Sequence, residues 1–258
     1  MPLDLDAHLR ADSARFGAVL GAVDLTAPVP TCDGWLAADL LWHLTEVQHF
    51  WGTVVGARLT DLSSYEHPQR PGDDAVLADR FAETSSRLIE ALAETEDTVK
   101  VWTWKDDDQT VGFVRRRQAH EALIHRLDAE LTAGDRTAFD PDLATDGVIE
   151  ALDWIFGGAP DWASEIVIDG ARGLVATTDT GAAWPVQIGR WSGTNPDSGK
   201  QHHDERGIFL VADGAVEFSV AGAAADLDCW MWSRPPVGEV ELSGDTAAFA
   251  AVIALGVD

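Results

Sequence analysis

The sequence predicts an α+β protein in which an N-terminal four-helix bundle is followed by a smaller α+β domain. Three observations lead there. The first half carries four long stretches with apolar residues at helical spacing. The second half carries short β-like runs separated by turn residues. Between them "GGAPDWASE", Gly157 to Glu165, has the glycine, proline and polar content of a linker. The domain limits are therefore set at 1–158 and 165–258.

The first helix is read from "LDAHLRADSARFGAVLGAV", Leu5 to Val23, and a longer second from "DGWLAADLLWHLTEVQHFWGTVVGARL", Asp33 to Leu59. "AVLADRFAETSSRLIEALAE", Ala75 to Glu94, gives a third helix, and the stretch from Gly112 to Thr132 a fourth. Four helices of this length pack as an antiparallel bundle. "VKVWTW", Val99 to Trp104, alternates enough for a short extended piece before the acidic turn "KDDDQ". A further helix falls within "DLATDGVIEALDWIF", Asp142 to Phe156. In the second half the β-like runs are "GLVATTDT", "WPVQIGRW", "GIFLVAD" and "AVEFSVAG", with helices at "ADLDCWMW" and "DTAAFAAVIAL".

Composition narrows the function classes. A formal charge of −26 argues against nucleic acid or an anionic membrane as partner, since both require a cationic footprint. An anionic substrate would need arginines placed locally. No apolar run approaches the roughly 18 residues of a membrane span. The start "MPLDLDAHLR" is acidic where a signal peptide is basic and then apolar, so a cytoplasmic protein is expected. Cys32 and Cys229 are far apart and form no C-x-x-C, which indicates neither a disulfide framework nor a cysteine zinc site.

The chemistry concentrates in "RRRQAHEALIHRLDAE", Arg115 to Glu130. The metalloprotease pattern H-E-x-x-H needs its histidines four apart, on one helix face. Here His120 and His125 are separated by five, about 140° of turn, so one ion does not readily take both. Glu121 and His125, four apart, lie within about 40° of each other. Such a pair lacks the third protein ligand of a catalytic metal site, and bundles supply ligands from facing helices. The candidates are His8 on the first helix and His43 or His49 on the second. His43 lies in the apolar stripe of Trp35, Leu36, Leu40, Val47 and Phe50, whereas His49 is turned roughly 240° away. Arg117 and Asp128 share the arc of Glu121 and His125. On spacing alone this is weak: among so many glutamates and eight histidines an E-x-x-x-H pair arises by chance about as often as not. A histidine on an apolar face also reads as a hydrogen-bonded core residue, Arg117 as a helix-face partner of Glu121, and the Arg115 to Arg117 triplet as solvated salt-bridge partners.

Two of these segments, "PTCDGWLAADLLWHL" (Pro30 to Leu44) and "RRRQAHEALIHRLDAE", together resemble the paired motifs of the mycothiol-dependent maleylpyruvate isomerase family, whose N-terminal domain is a DinB-like four-helix bundle. The tail "AAADLDCWMWSRPPVGEVELSGDTAA" is similar to the family's sterol-carrier-protein-like C-terminal domain. The resemblance implies a metal, taken as zinc, held by His43, Glu121 and His125, in agreement with the choice made from helix geometry. The sequence departs from the family at Asp33, where proline is common; Asp33 is expected to cap the second helix. It also has Ser233 before Arg234, where the family often has Gly-Arg. Arg234 is then implied to help activity by gripping a substrate carboxylate, its alternative being a surface salt bridge.

Two neutral imidazoles and one carboxylate leave a divalent ion with net charge +1 and an open position, which suits a thiolate. The implied reaction adds the mycothiol thiolate to the cis double bond of maleylpyruvate, rotates the new single bond, and eliminates the thiol to leave fumarylpyruvate. The alternative within the same chemistry is a mycothiol S-transferase acting on other electrophiles. Arg234 and Arg117 are expected to meet the substrate's carboxylates, with Asp128 and Glu46 as residues that orient the imidazoles. A reading of another class is a non-enzymatic, metal-stabilised ligand-binding protein, which an exposed Trp230 and Trp232 pair would favour.

Overall fold

The computed structural model describes residues 3–196 and 198–255. Seven α-helices and a six-stranded mixed sheet make the protein α+β among the described residues. The chain divides into two compact units, Met1–Ala138 and Phe139–Asp258. The outermost ends of the domains read from the sequence, residues 1–2 and 256–258, lie outside the described residues.

The first unit is built from α1 (Leu5–Leu20), α2 (Ala37–Gly56), α3 (Leu77–Ala93) and α4 (Val111–Ala133). Local chemistry sets the ends. Asp4 accepts a hydrogen bond from the Ala7 N–H at the start of α1, and Thr110 accepts one from Phe113 at the start of α4. Asp73 opens a 3-10 turn, Asp74–Val76, that leads into α3. The helices pack as a closed set, α1 on α3 and α4, and α2 on α3 and α4. Phe16, Leu20, Leu40, Leu41, Leu44 and Phe81 fill one core cluster, with the Phe16 and Phe81 rings 4.8 Å apart. At Gly52 a Cβ would meet the Leu88 backbone at 3.3 Å, so the missing side chain lets α2 approach α3 closely.

The start of α2 differs from expectation. Asp33 is exposed and precedes the helix; the cap position is Leu36, whose N–H donates to the Asp39 carboxylate at 2.9 Å. The Ala37 and Ala38 N–H groups donate to the carbonyls of Ala27 and Leu25, so the preceding loop satisfies donors a side-chain cap would otherwise serve. Gly34 provides the left-handed turn, at φ +80°, that brings this loop back. The "VKVWTW" stretch makes only an isolated bridge, Lys100 to Thr110, and its backbone is tied instead to Leu59 by the Trp102 N–H at 2.6 Å.

The second unit begins with α5 (Pro141–Glu150), prolonged by a π-helical turn over Ala151–Ile155. The sequence placed this helix with the bundle. In the structure Val148, Ala151, Leu152 and Phe156 share a core with Val175, Val186, Ile208, Val220 and Leu227, so the division between units falls at Ala138 rather than near 160. The presumed linker is also structured: the Gly158 N–H donates to the Ile208 carbonyl, and Ala163–Val167 forms β1. The sheet runs β1, β3 (Ala183–Thr194), β2 (Arg172–Thr177), β5 (Phe218–Gly222), β6 (Glu241–Gly244), with β4 (Gln201–Leu210) also on β3. Among the strand pairs of the described residues only β2 with β5 is parallel. α6 (Ala224–Met231) packs on α5, and α7 (Ala247–Ile253) adds Phe249, Val252 and Ile253 to the core.

Candidate metal centre

Few of α4's polar residues face water. Arg117, Gln118, His120, His125, Asp128 and Glu130 are all buried, which explains why its apolar periodicity is shallow. Buried charges need partners. Glu130 takes Arg15 at 2.9 Å and Thr137, while Arg126 pairs with Asp12 at 3.1 Å. The arginine triplet is correspondingly not a row of solvated cations: Arg115 reaches Asp6 and Asp97 and the carbonyls of Leu92 and Thr95, and Arg117 is buried against Glu121.

His43, Glu121 and His125 converge, with one ligand atom from each lying within 4.8 Å of the others. The Glu121 Oε1 sits 3.2 Å from His125 Nε2 and 3.6 Å from His43 Nε2. Ligand atoms about 2.0–2.1 Å from a tetrahedral zinc lie roughly 3.3 Å from one another. The donor types suit a divalent ion, and the two distances to Glu121 are close to that spacing. The two imidazole rings stand edge to face, centroids 4.8 Å apart, and Trp35 leans on His43 at 5.0 Å. The His43 side chain is 34% exposed against 10% for His125, so the centre is open at the α2 side.

Around it the charges are arranged to hold Glu121 ionised. Burial opposes ionisation, but hydrogen bonds from His125 and His43 and the charges of His125 and Arg117 outweigh it and hold the carboxyl well below its usual range. Arg117 Nη2 lies 3.1 Å from the second oxygen, Oε2. His125 Nδ1 lies 3.0 Å from Asp128 Oδ2. Burial would lower the His125 pKa; its bonds to Asp128 and Glu121 overcome that and raise it to about 9. The bare centre is thus an imidazolium between two carboxylates, and an incoming cation would displace a proton.

Of the other residues singled out in the sequence, His49 sits apart from the centre beside Tyr65, 3.4 Å from its hydroxyl. No hydrogen bond joins Glu46 to His43 or His125 among the described residues; its charge acts on Tyr65, whose phenol is raised by burial and by Glu46. Arg234 lies in the second unit, where its Nη1 donates to the Trp232 carbonyl at 2.7 Å, just after Ser233 at φ +58°. Trp230 is partly buried and stacks on Phe249 at 6.2 Å, and Trp232 is half-buried, so the pair forms no exposed aromatic patch.

A family model, the mycothiol maleylpyruvate isomerase N-terminal domain, matches residues 7–130. The N-terminal unit belongs to that family. His43, Glu121 and His125 all fall within the part of this mycothiol maleylpyruvate isomerase-type domain that matches. Two solved structures are similar over 93% of both chains: the mycothiol-dependent maleylpyruvate isomerase, at 16% identity and a TM-score of 0.59, and a histidine-to-alanine variant of it, at 15% and 0.60. At that identity the likeness carries the fold. No curated protein sequence matches the chain.

Three neighbours of the centre were not singled out by pattern. Thr31 donates its hydroxyl to Asp128 Oδ1 at 2.6 Å, Cys32 Sγ lies 3.9 Å from Asp128 Oδ2, and Trp35 leans on His43. All three belong to the loop before α2, inside the quoted motif "PTCDGWLAADLLWHL", which is the signal that could have marked them.

Proposed function

We propose that the chain is a cytoplasmic, zinc-dependent enzyme that activates mycothiol as a thiolate for addition to a small electrophile, with cis-trans isomerisation of maleylpyruvate as the leading reaction. The convergence of His43, Glu121 and His125 to within 4.8 Å carries this reading. The names of the matching family model and of the similar solved structures support it. A divalent ion on two imidazoles and a carboxylate would retain an open position at which a thiol is held as its thiolate at neutral pH.

The chain's own residues prepare that position. Asp128 accepts a hydrogen bond from His125 Nδ1, which leaves Nε2 facing the centre, where it would hold an ion once its proton is displaced. Glu121 supplies the negative charge, and Arg117, buried on its far oxygen, holds that carboxylate in place. His43, one-third exposed, leaves the approach for the thiol, with Trp35 as its wall. Of the two arginines expected to meet substrate carboxylates, Arg117 is proposed to act through Glu121, and Arg234 keeps the proposed substrate contact. The second unit is proposed to be sterol-carrier-protein-like.

The test is an assay of the metal-stripped and zinc-reloaded protein with maleylpyruvate and mycothiol. Fumarylpyruvate formed with the thiol regenerated, and only when zinc and mycothiol are both present, is the expected result. Consumption of the thiol with an adduct left behind, on this or other electrophiles, would identify the S-transferase instead. Absence of both reactions from zinc-loaded protein over a panel of electrophiles would contradict the enzyme reading.

A further inference from the structure

We infer that Thr31, in the loop before α2, is a positioning residue of the metal centre that acts through Asp128 on His125. The inference rests on the metal reading given above and deepens it. Asp128 is fully buried, and its two oxygens are used in opposite directions: Oδ2 meets His125 Nδ1 at 3.0 Å, and Oδ1 receives the Thr31 hydroxyl at 2.6 Å. Anchoring at both oxygens fixes the plane of the carboxylate, and with it the ring plane of the histidine it orients. The Thr31 bond is short and spans two segments far apart in sequence, so the loop and α4 are set against each other at this point.

The same loop is fastened at its other end. The N–H groups of Ala37 and Ala38 are bonded to the loop carbonyls of Ala27 and Leu25, and Trp35 leans on His43. One loop therefore reaches both histidines, His43 through Trp35 and His125 through Thr31 and Asp128. Its placement adds a second tie between the α2 ligand and the α4 ligands, beside the direct approach of His43 to Glu121 and His125. Partners that orient a ligand from outside the coordination sphere typically change metal affinity by about 10–100-fold, and Thr31, one bond further out, is expected at the lower end of that range.

The experiment is a zinc affinity measurement by chelator competition on the full chain, comparing the wild type with Thr31→Ser, Thr31→Val and Thr31→Ala. Thermal unfolding of the metal-free proteins is recorded alongside, so that any variant that is not folded is set aside and the remaining hydroxyl-free variant decides. Thr31→Ser is expected to keep zinc affinity within about twofold, and the hydroxyl-free variants to lose about tenfold. The cobalt-loaded hydroxyl-free variants should also show a shifted visible spectrum, because Asp128 then orients the His125 ring less firmly. Wild-type affinity and an unshifted spectrum in a folded Thr31→Val or Thr31→Ala, even with a lowered melting temperature, would reduce Thr31 to a structural tie and overturn the inference. A wild type that binds no zinc or cobalt would overturn the metal reading itself, a distinguishable result.

Discussion

At the residue scale, His125 links the bare and loaded forms of the centre. Its pKa, raised to about 9 by Asp128 and Glu121, means that the metal-free protein carries a proton there at neutral pH. A ligating imidazole cannot keep its Nε2 proton, so loading at pH 7 should release about one proton per ion, falling toward none above pH 9. Calorimetry in two buffers of different ionisation enthalpy measures that release. The sign for stability follows from the same shift: a raised histidine pKa stabilises the metal-free fold fully below the unfolded value near 6.5, and the contribution is lost as pH rises through about 9. Truncation should separate the ligands. Glu121→Ala removes the carboxylate that pairs with both Arg117 and His125 and is expected to cost the metal-free protein about 3 kcal/mol in denaturant melts. His43→Ala removes a one-third exposed ring and is expected to cost under about 1 kcal/mol while still abolishing tight zinc binding. The choice of His43 over His49 was legible in the apolar stripe on α2, and Glu121 with His125 in their spacing. Thr31 was not, since a hydrogen bond from a loop to a residue ninety-seven positions away leaves no period to detect.

At the scale of elements, the four bundle helices were legible as long segments with apolar residues at helical spacing, most weakly in α4, and the structure places them within a few residues of the expected limits. The start of α2 was not. Asp33 has the chemistry of a cap, but the donors it would have met are already taken, the Trp35 N–H by the Cys32 carbonyl and the Leu36 N–H by Asp39 from inside the helix. The approach of α2 to α3 at Gly52 makes a direct test. Gly52→Val would force side-chain atoms against the Leu88 backbone, 3.3 Å from where Cβ would sit, and should destabilise the protein by about 1–3 kcal/mol in the same melts. Strands β1 and β6 escaped the sequence reading because β1 lies within a glycine- and proline-rich stretch and β6 is short and exposed, leaving neither with an alternating apolar face.

For the molecule as a whole, the α+β class and the order of the two parts were legible, while the point of division was not. "GGAPDWASE" has linker composition, yet its backbone pairs with Ile208 and continues into β1, and backbone pairing is invisible to composition. The apolar face of α5 completes the core of the second unit. A fragment of residues 1–138 should accordingly fold and bind zinc as a monodisperse species, whereas residues 1–158 should self-associate through the uncovered α5, as size-exclusion chromatography would show. No helix among the described residues is long and apolar enough to cross a membrane. The central claim is that His43, Glu121 and His125 hold an ion with a position free for sulfur. Its most direct test is titration of the cobalt-substituted protein with mycothiol, followed in the near-ultraviolet. A saturable thiolate-to-cobalt band that disappears in His43→Ala is the predicted result; a cobalt spectrum indifferent to the thiol would contradict it.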